Sequence, residues 1–324
     1  MKQSTTIIKF GGSILTDKSK TSTLNPKFSV KSVADKLVDY TKHSQPLVLI
    51  HGAGSFGHPQ ASEHGLLSVT KYWDSIENLN YSDLLNSNES IKDFSEFPLS
   101  SHYTEQDLER FKIGGKLTKE AVTELHNYFK QQLVSIGLPI VSVYPSEYLT
   151  SYSEVIDGKS VTIQLKGVQK LLKHITTLIN SNQVPLLHGD VLKDNLNESK
   201  IISGDLIAYL LCCHLNEHNR TVESIYLTDV DGVFDKDPKR FNDAKLIELI
   251  EINKDSNNLN AFEQKDEVTT GGSVKDITGS MLGKLKWAIE SIKDCGESCH
   301  ARVINYEKFI LKDNTVETLL KFHQ

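Results

Sequence analysis

Residues Pro46–His58 read PLVLIHGAGSFGH. An unbroken apolar run of strand length ends in a loop with glycine at 52, 54 and 57. A run without polar alternation predicts a strand buried on both faces, as in a parallel sheet. Glycines after such a strand let backbone N–H groups approach a ligand at its carboxyl end, where open α/β sheets bind ligands. The same design precedes it: Thr5–Phe10 (TTIIKF) runs into Gly11-Gly12-Ser13, with Lys9 in the strand and Lys18 soon after. Further strands are predicted at Leu138–Val143, Val184–His188, Glu223–Thr228 and Ala301–Asn305. Helical spacing at Phe28–His43, Leu117–Ile136, Gly167–Asn180, Gly204–Leu215 and Ser280–Cys295 places helices between them. The alternation implies an α/β fold with a mainly parallel central sheet covered on both faces.

The 324 residues allow one large domain or two. With 36 Lys+Arg against 42 Asp+Glu, the formal net charge is -6, so no basic excess attracts nucleic acid or anionic lipid. Phosphate binding must therefore be local. Arginine stands only at 110, 220, 240 and 302. Lysines and backbone N–H groups are thus the expected tools for holding phosphate. No apolar run approaches the roughly 20 residues that cross a bilayer, and Met1–Lys9 carries no signal-peptide pattern, so the expected location is the cytosol. The cysteines, in the local pairs Cys212/Cys213 and Cys295/Cys299, read as reduced thiols. Cys295-x-x-x-Cys299-His300 lacks a second ligand pair for zinc in the sequence.

Two polar stretches interrupt the rhythm. Ser68–Arg110 is Asn/Ser-rich and reads as an insertion, either a small packed surface element or a lid over the Gly57 loop. Lys254–Glu267 reads as a loop.

Gly52–Gly57 matches G-x-G-x-x-G, but a nicotinamide site needs an acidic residue about 20 residues on at the end of a following strand. That region holds Tyr72, Trp73 and Asp74 inside the polar insertion, which disfavours the nicotinamide reading. Two glycines after Lys9 can form an anion-binding nest, or simply a tight turn. Gly279–Lys284 is one residue short of a P-loop, with Leu285 where a magnesium-binding hydroxyl belongs, so Lys284 reads as a lysine at a helix N-terminus. The acidic run Asp229, Asp231, Asp235, Asp237 lacks the glycine position and final Glu of a calcium loop.

Lys9–Ser13 (KFGGS), His51–His58 (HGAGSFGH), His188–Asp190 (HGD), Ile202–Asp205 (ISGD), Thr228–Phe234 (TDVDGVF) and Thr278–Lys284 (TGSMLGK), in this order, resemble the motifs of the amino acid kinase family. Gly54–His58 and Lys18 look most like the isopentenyl phosphate kinase branch, and fosfomycin kinases carry a similar loop. The resemblance implies a three-layer α/β/α sandwich with an acceptor lobe at 1–195, a nucleotide lobe at 196–324, and a homodimer. It implies ATP-dependent phosphorylation of isopentenyl phosphate, with Mg2+ arriving on ATP rather than in a protein cage. Lys9 and Lys284 would contact the transferring group and the ATP phosphates, Lys18 would stabilise the transition state, and Asp205 would hold the two lysines. Gly11, Gly12 and Gly54 would supply N–H groups. Ala53, His58 and Gly189 would line the acceptor phosphate, and Thr228, Asp229 and Ser280 would lie by the nucleotide. Ser280 departs from the glycine many relatives carry. The other functions in play are a phosphonate or carboxylate kinase of the same family and a non-catalytic nucleotide sensor.

Overall fold

A computed structural model describes residues 3–42, 45–70, 103–156, 159–254, 275–311 and 317–323. In chain order, β1 (Gln3–Phe10) leads into a short α1 (Gly12–Leu15), then α2 (Val30–Lys42) and β2 (Leu47–His51). A tight turn at Gly54–Phe56 precedes α3 (His58–Glu63), α4 (Leu66–Thr70) and the long α5 (Glu105–Ser135). Next come β3 (Ile140–Ser142), the hairpin strands β4 (Thr150–Ile156) and β5 (Lys159–Lys166), α6 (Val168–Asn180) and β6 (Val184–His188). A second hairpin, β7 (Asp190–Asp194) and β8 (Glu198–Ile202), precedes α7 (Gly204–Glu217) and β9 (Arg220–Thr228). The chain closes with β10 (Leu249–Ile252), α8 (Lys275–Cys295), β11 (Cys299–Asn305), α9 (Tyr306–Leu311) and β12 (Glu317–Phe322).

Eight strands form the central sheet in the order β10-β12-β11-β9-β1-β2-β6-β3. All its neighbours pair in parallel except β11 with β12. The alternation of side chains sorts each strand between two cores. Ile7, Val48 and Ile50 face a cluster shared with α6, α7 and α8, whereas Ile8, Phe10, Leu47 and Leu49 face one shared with α2, α5 and α9. This is the expected three-layer sandwich. Truncating a fully buried leucine such as Leu37, Leu187 or Leu210 would cost about 2–5 kcal/mol through lost burial and the cavity left behind.

β5, β4, β7 and β8 make a separate four-stranded sheet that the hydrophobic pattern did not predict. It buries polar groups. Asp194 accepts from the hydroxyls of Ser151 and Ser153, and the buried Lys200 ammonium donates to Ser153 Oγ at 2.9 Å. Strands filled this way carry no apolar signature.

Three other boundaries depart from the sequence reading. α5 begins at Glu105 rather than Leu117, because Thr104 and Asp107 form a reciprocal capping box. Its first turn thus lies inside the stretch read as an insertion; residues 71–102 of that stretch fall outside the described residues. Most of the loop expected at Lys254–Glu267 also lies outside them. Helix α8 starts at Lys275, so Lys284 sits well inside it and not at its N-terminus. Finally, the two cysteine pairs, separate in sequence, meet in the core: all four thiols are free and buried, with Cys213 and Cys295 sulfurs 3.9 Å apart.

Candidate active site

The carboxyl ends of β1, β2, β6 and β9 carry the predicted residues to one edge of the sheet. Lys9, next to last in β1, is buried, and its ammonium lies 2.6 Å from Asp205 in the first turn of α7. Ser203 caps that helix by accepting from Leu206 N, which fixes where Asp205 emerges. Lys284, on α8, is 6% exposed. Burial, with Lys9 and Lys18 adding repulsion against the pull of Asp205 and Asp229, lowers its ammonium to about 8. It still carries its proton at neutral pH, so two buried ammonium groups, those of Lys9 and Lys284, lie near one another at this end of the sheet. An anion is the natural complement of that arrangement.

Lys18 is exposed in the loop after α1. An isolated bridge between Thr16 and Leu24 closes this loop. Thr16 Oγ1 donates to Gly12 O and accepts from Ser55 N, and Ser55 Oγ donates to Thr23 O. The Lys18 loop is thereby tied to both glycine loops. Asp229, just past Thr228 at the end of β9, accepts from Ser13 Oγ and from Lys239 Nζ at 2.8 Å. Burial pushes its carboxyl up, but the bonded Lys239 ammonium and nearby Lys18 outweigh that and hold it at about 2.

The two glycine loops touch backbone to backbone. A Cβ on Gly12 would meet Gly54 N at 2.5 Å, and Gly54 itself adopts φ +53. Both features exclude larger residues. Among the described residues, the N–H groups of Gly12, Ser13, Ala53 and Gly54 donate no hydrogen bond within the protein. Gly11 instead donates to Leu227 O, and Gly189 to His51 O. Four unspent amides on touching loops, beside buried lysines, form a cradle suited to phosphate oxygens. His58 is exposed as the first residue of α3, at the outer end of the second loop. Ser280 lies on α8, and its side chain is outside the described residues.

The arginines are engaged elsewhere. Arg110 pairs with Asp107, Arg220 donates to Thr5 and Asn180, Arg302 bridges Glu223 and Glu317, and Arg240 lies over the Phe241 ring. The site is one of lysines and backbone amides. Sequence reasoning missed Lys239 and the Thr16–Ser55 tie; the motif loops around them gave no sign of which polar residue would reach across. Among the described residues no cluster of His, Cys, Asp and Glu could hold a metal ion by itself.

The sequence profile described as the amino acid kinase family matches residues 4–305. This chain belongs to that family. Among family members it is 28% identical to an isopentenyl phosphate kinase of Methanothermobacter thermautotrophicus, over 86% of this chain and 84% of the relative. It is 27% identical to one of Methanocaldococcus jannaschii, over 94% and 91%. A solved isopentenyl phosphate kinase structure superposes with a TM-score of 0.62 at 23% identity, covering 98% of this chain and all of the other, which establishes the amino acid kinase fold.

Proposed function

We propose that this amino acid kinase transfers a phosphoryl group from ATP to isopentenyl phosphate, forming isopentenyl diphosphate. The carrying observation is the intact Gly54-Ser55-Phe56-Gly57-His58 loop packed against the Lys9 loop, in a chain matching isopentenyl phosphate kinases over most of their length.

The chemistry suits this edge of the sheet. A phosphate monoester is largely ionised at pH 7, with a second pKa of about 6, so its oxygen needs no strong base. The obstacle is repulsion between two anions, and the remedy is positioning and charge neutralisation. Lys9 and Lys284 hold the phosphates of the nucleotide and the transferring group. Asp205 keeps Lys9 aimed. Lys18, on its tethered loop, supplies charge as the bond to the leaving oxygen lengthens. Gly11, Gly12 and Gly54 line the transferring group with backbone. Ala53, His58 and Gly189 receive the acceptor phosphate, and Thr228, Asp229 and Ser280 flank the nucleotide, with Lys239 fixing Asp229. Magnesium, when present, accompanies the nucleotide phosphates and neutralises them further.

In this reading residues 1–195 serve the acceptor and 196–324 the nucleotide, and the chain works in the cytosol as a homodimer. No helix among the described residues is long and apolar enough to cross a membrane. Ile113, Leu117 and Tyr128 expose apolar surface on one side of α5, a surface a second copy could cover.

A panel of isopentenyl phosphate, fosfomycin and carboxylate acceptors, each with ATP and magnesium and followed by 31P NMR, tests the proposal. Isopentenyl diphosphate should be the preferred product. Preference for another acceptor, or turnover on none, would overturn it.

A further inference from the structure

Beneath the acceptor loops lies a group of buried histidines that the charge-based account does not use. His51 and His188 end the adjacent strands β2 and β6, and are directly paired in the parallel register. Each is followed by a glycine and contacts that glycine's carbonyl: His51 Nδ1 to Gly52 O at 3.1 Å, His188 Nδ1 to Gly189 O at 2.7 Å. His126 of α5 completes the group, with His51 Nε2 at 3.2 Å from His126 Nδ1 and His126 Nε2 at 2.9 Å from Ser142 Oγ. All three rings are fully buried.

A carbonyl oxygen only accepts, so Nδ1 of His51 and of His188 must carry hydrogen. Burial, with the neighbouring imidazoles, holds His51 well below the usual histidine range and His126 at about 3, so both are neutral at pH 7. A neutral ring with hydrogen on Nδ1 has a bare Nε2. His51 Nε2 therefore accepts from His126 Nδ1–H, and His126 Nε2 accepts from the Ser142 hydroxyl. The result is a one-way relay of hydrogen bonds from Ser142 through His126 and His51 to the Gly52 carbonyl.

In a trans peptide the C=O and the following N–H point in opposite directions. The Gly52 carbonyl drawn down onto His51 turns the Ala53 N–H away from the histidines, and that amide is one of the four unspent donors of the cradle. We propose that His51 is a positioning residue for the acceptor phosphate, locking the Gly52–Ala53 peptide so that the Ala53 amide faces the phosphate; His188 Nδ1 fixes the Gly189 carbonyl on the neighbouring strand by the same kind of contact. This rests on the acceptor-phosphate reading of Ala53. It adds a role for buried imidazoles: they set backbone dipoles and do not contact the substrate.

Asparagine and glutamine separate this role from cavity filling. His51→Asn places an amide N–H where Nδ1–H stands, whereas His51→Gln moves its donor to the Nε2 position. His51→Asn should keep the KM for isopentenyl phosphate within about threefold of the wild type. His51→Gln should raise it about tenfold or more, with the KM for ATP changed less than about twofold. Equal effects of the two variants, or equal effects on both substrates, would overturn the proposal. A second readout needs neither variant: 15N imidazole NMR of the wild-type protein at pH 7 should show His51 and His126 as Nδ1–H tautomers. Hydrogen on His51 Nε2 would sink the relay even in an active enzyme. If the wild type left isopentenyl phosphate untouched, the function and the Ala53 acceptor role would fail together, and the NMR would still decide the relay.

Discussion

The ends of β1 and β9 and the ends of β2 and β6 lie on the same edge of one sheet, yet they prepare for anions by different means. The first region is charged: Lys9, Lys284, Lys18 and Lys239 surround Asp205 and Asp229, and the buried Lys284 is lowered to about 8 by its setting. The second is neutral: His51 and His126 are kept uncharged, and the donors left unspent are backbone amides in a glycine loop. The difference suits the two halves of a transfer between anions. Mobile charge belongs where negative charge shifts during the reaction. Fixed dipoles suffice where a phosphate must only be held in line.

The comparison can be broken most forcefully at Lys284. Lys284→Met should lower kcat by about a thousandfold or more, because a buried cation placed for the transferring phosphate is lost. The same change should raise Tm. In the folded protein the Lys284 ammonium is lowered to about 8, below its unfolded value, so the charged form costs stability at every pH under the unfolded value. Removing it should recover up to about 3 kcal/mol. A loss of both activity and stability, read by steady-state kinetics and thermal melts, would show instead that Lys284 is structural.

Lys18→Ala should give a smaller loss, about a hundredfold in kcat, with the KM values for both substrates nearly unchanged. An unchanged kcat would remove Lys18 from the charged region and leave it a surface residue of the Thr16–Leu24 loop.

The neutral region makes a subtler prediction, readable as stability against pH. His126 is held at about 3 and His51 lower than the usual range, so the unfolded chain binds protons that the folded chain refuses. Stability contributed by their neutrality is complete above about pH 6.5 and declines as pH falls from there toward 3. At pH 5 the His126 contribution alone should be about 2 kcal/mol below its neutral-pH value. His126→Gln should flatten that decline in urea titrations at pH 7 and pH 5. An unaltered slope would mean that His126 takes up a proton as readily in the folded protein as in the unfolded chain, which would contradict its burial as a neutral member of the relay.

Much of the frame was legible because its signal is apolar. The runs Pro46–His51 and Val184–His188 are apolar up to their closing histidines, Thr5–Phe10 has an apolar centre with Lys9 near its end, and the three became the adjacent strands β1, β2 and β6. The small sheet was not legible, since Ser151, Ser153, Ser160, Asp194, Asn197 and Lys200 are buried in hydrogen bonds instead of apolar contacts. Lys9 and Asp205 were readable as motif residues, and their 2.6 Å contact joins positions 196 apart that only the folded sheet brings together. Lys284 was readable as a motif lysine but not as a mid-helix one, because Thr278-Gly279 looks like a helix start. The histidine relay was hidden for another reason. His51-Gly52 and His188-Gly189 are visible as repeated dipeptides, but their meaning depends on strands β2 and β6 being neighbours in register.

The proposed division between a charged nucleotide region and a neutral acceptor region is tested most directly at His58, the side chain at the outer end of the Gly52–Gly57 loop. Steady-state KM values for isopentenyl phosphate and for ATP should be measured side by side in the wild type and in His58→Ala. The account predicts a rise of about tenfold or more for isopentenyl phosphate with the ATP value within about twofold. An equal rise in both, or a rise confined to ATP, would contradict it.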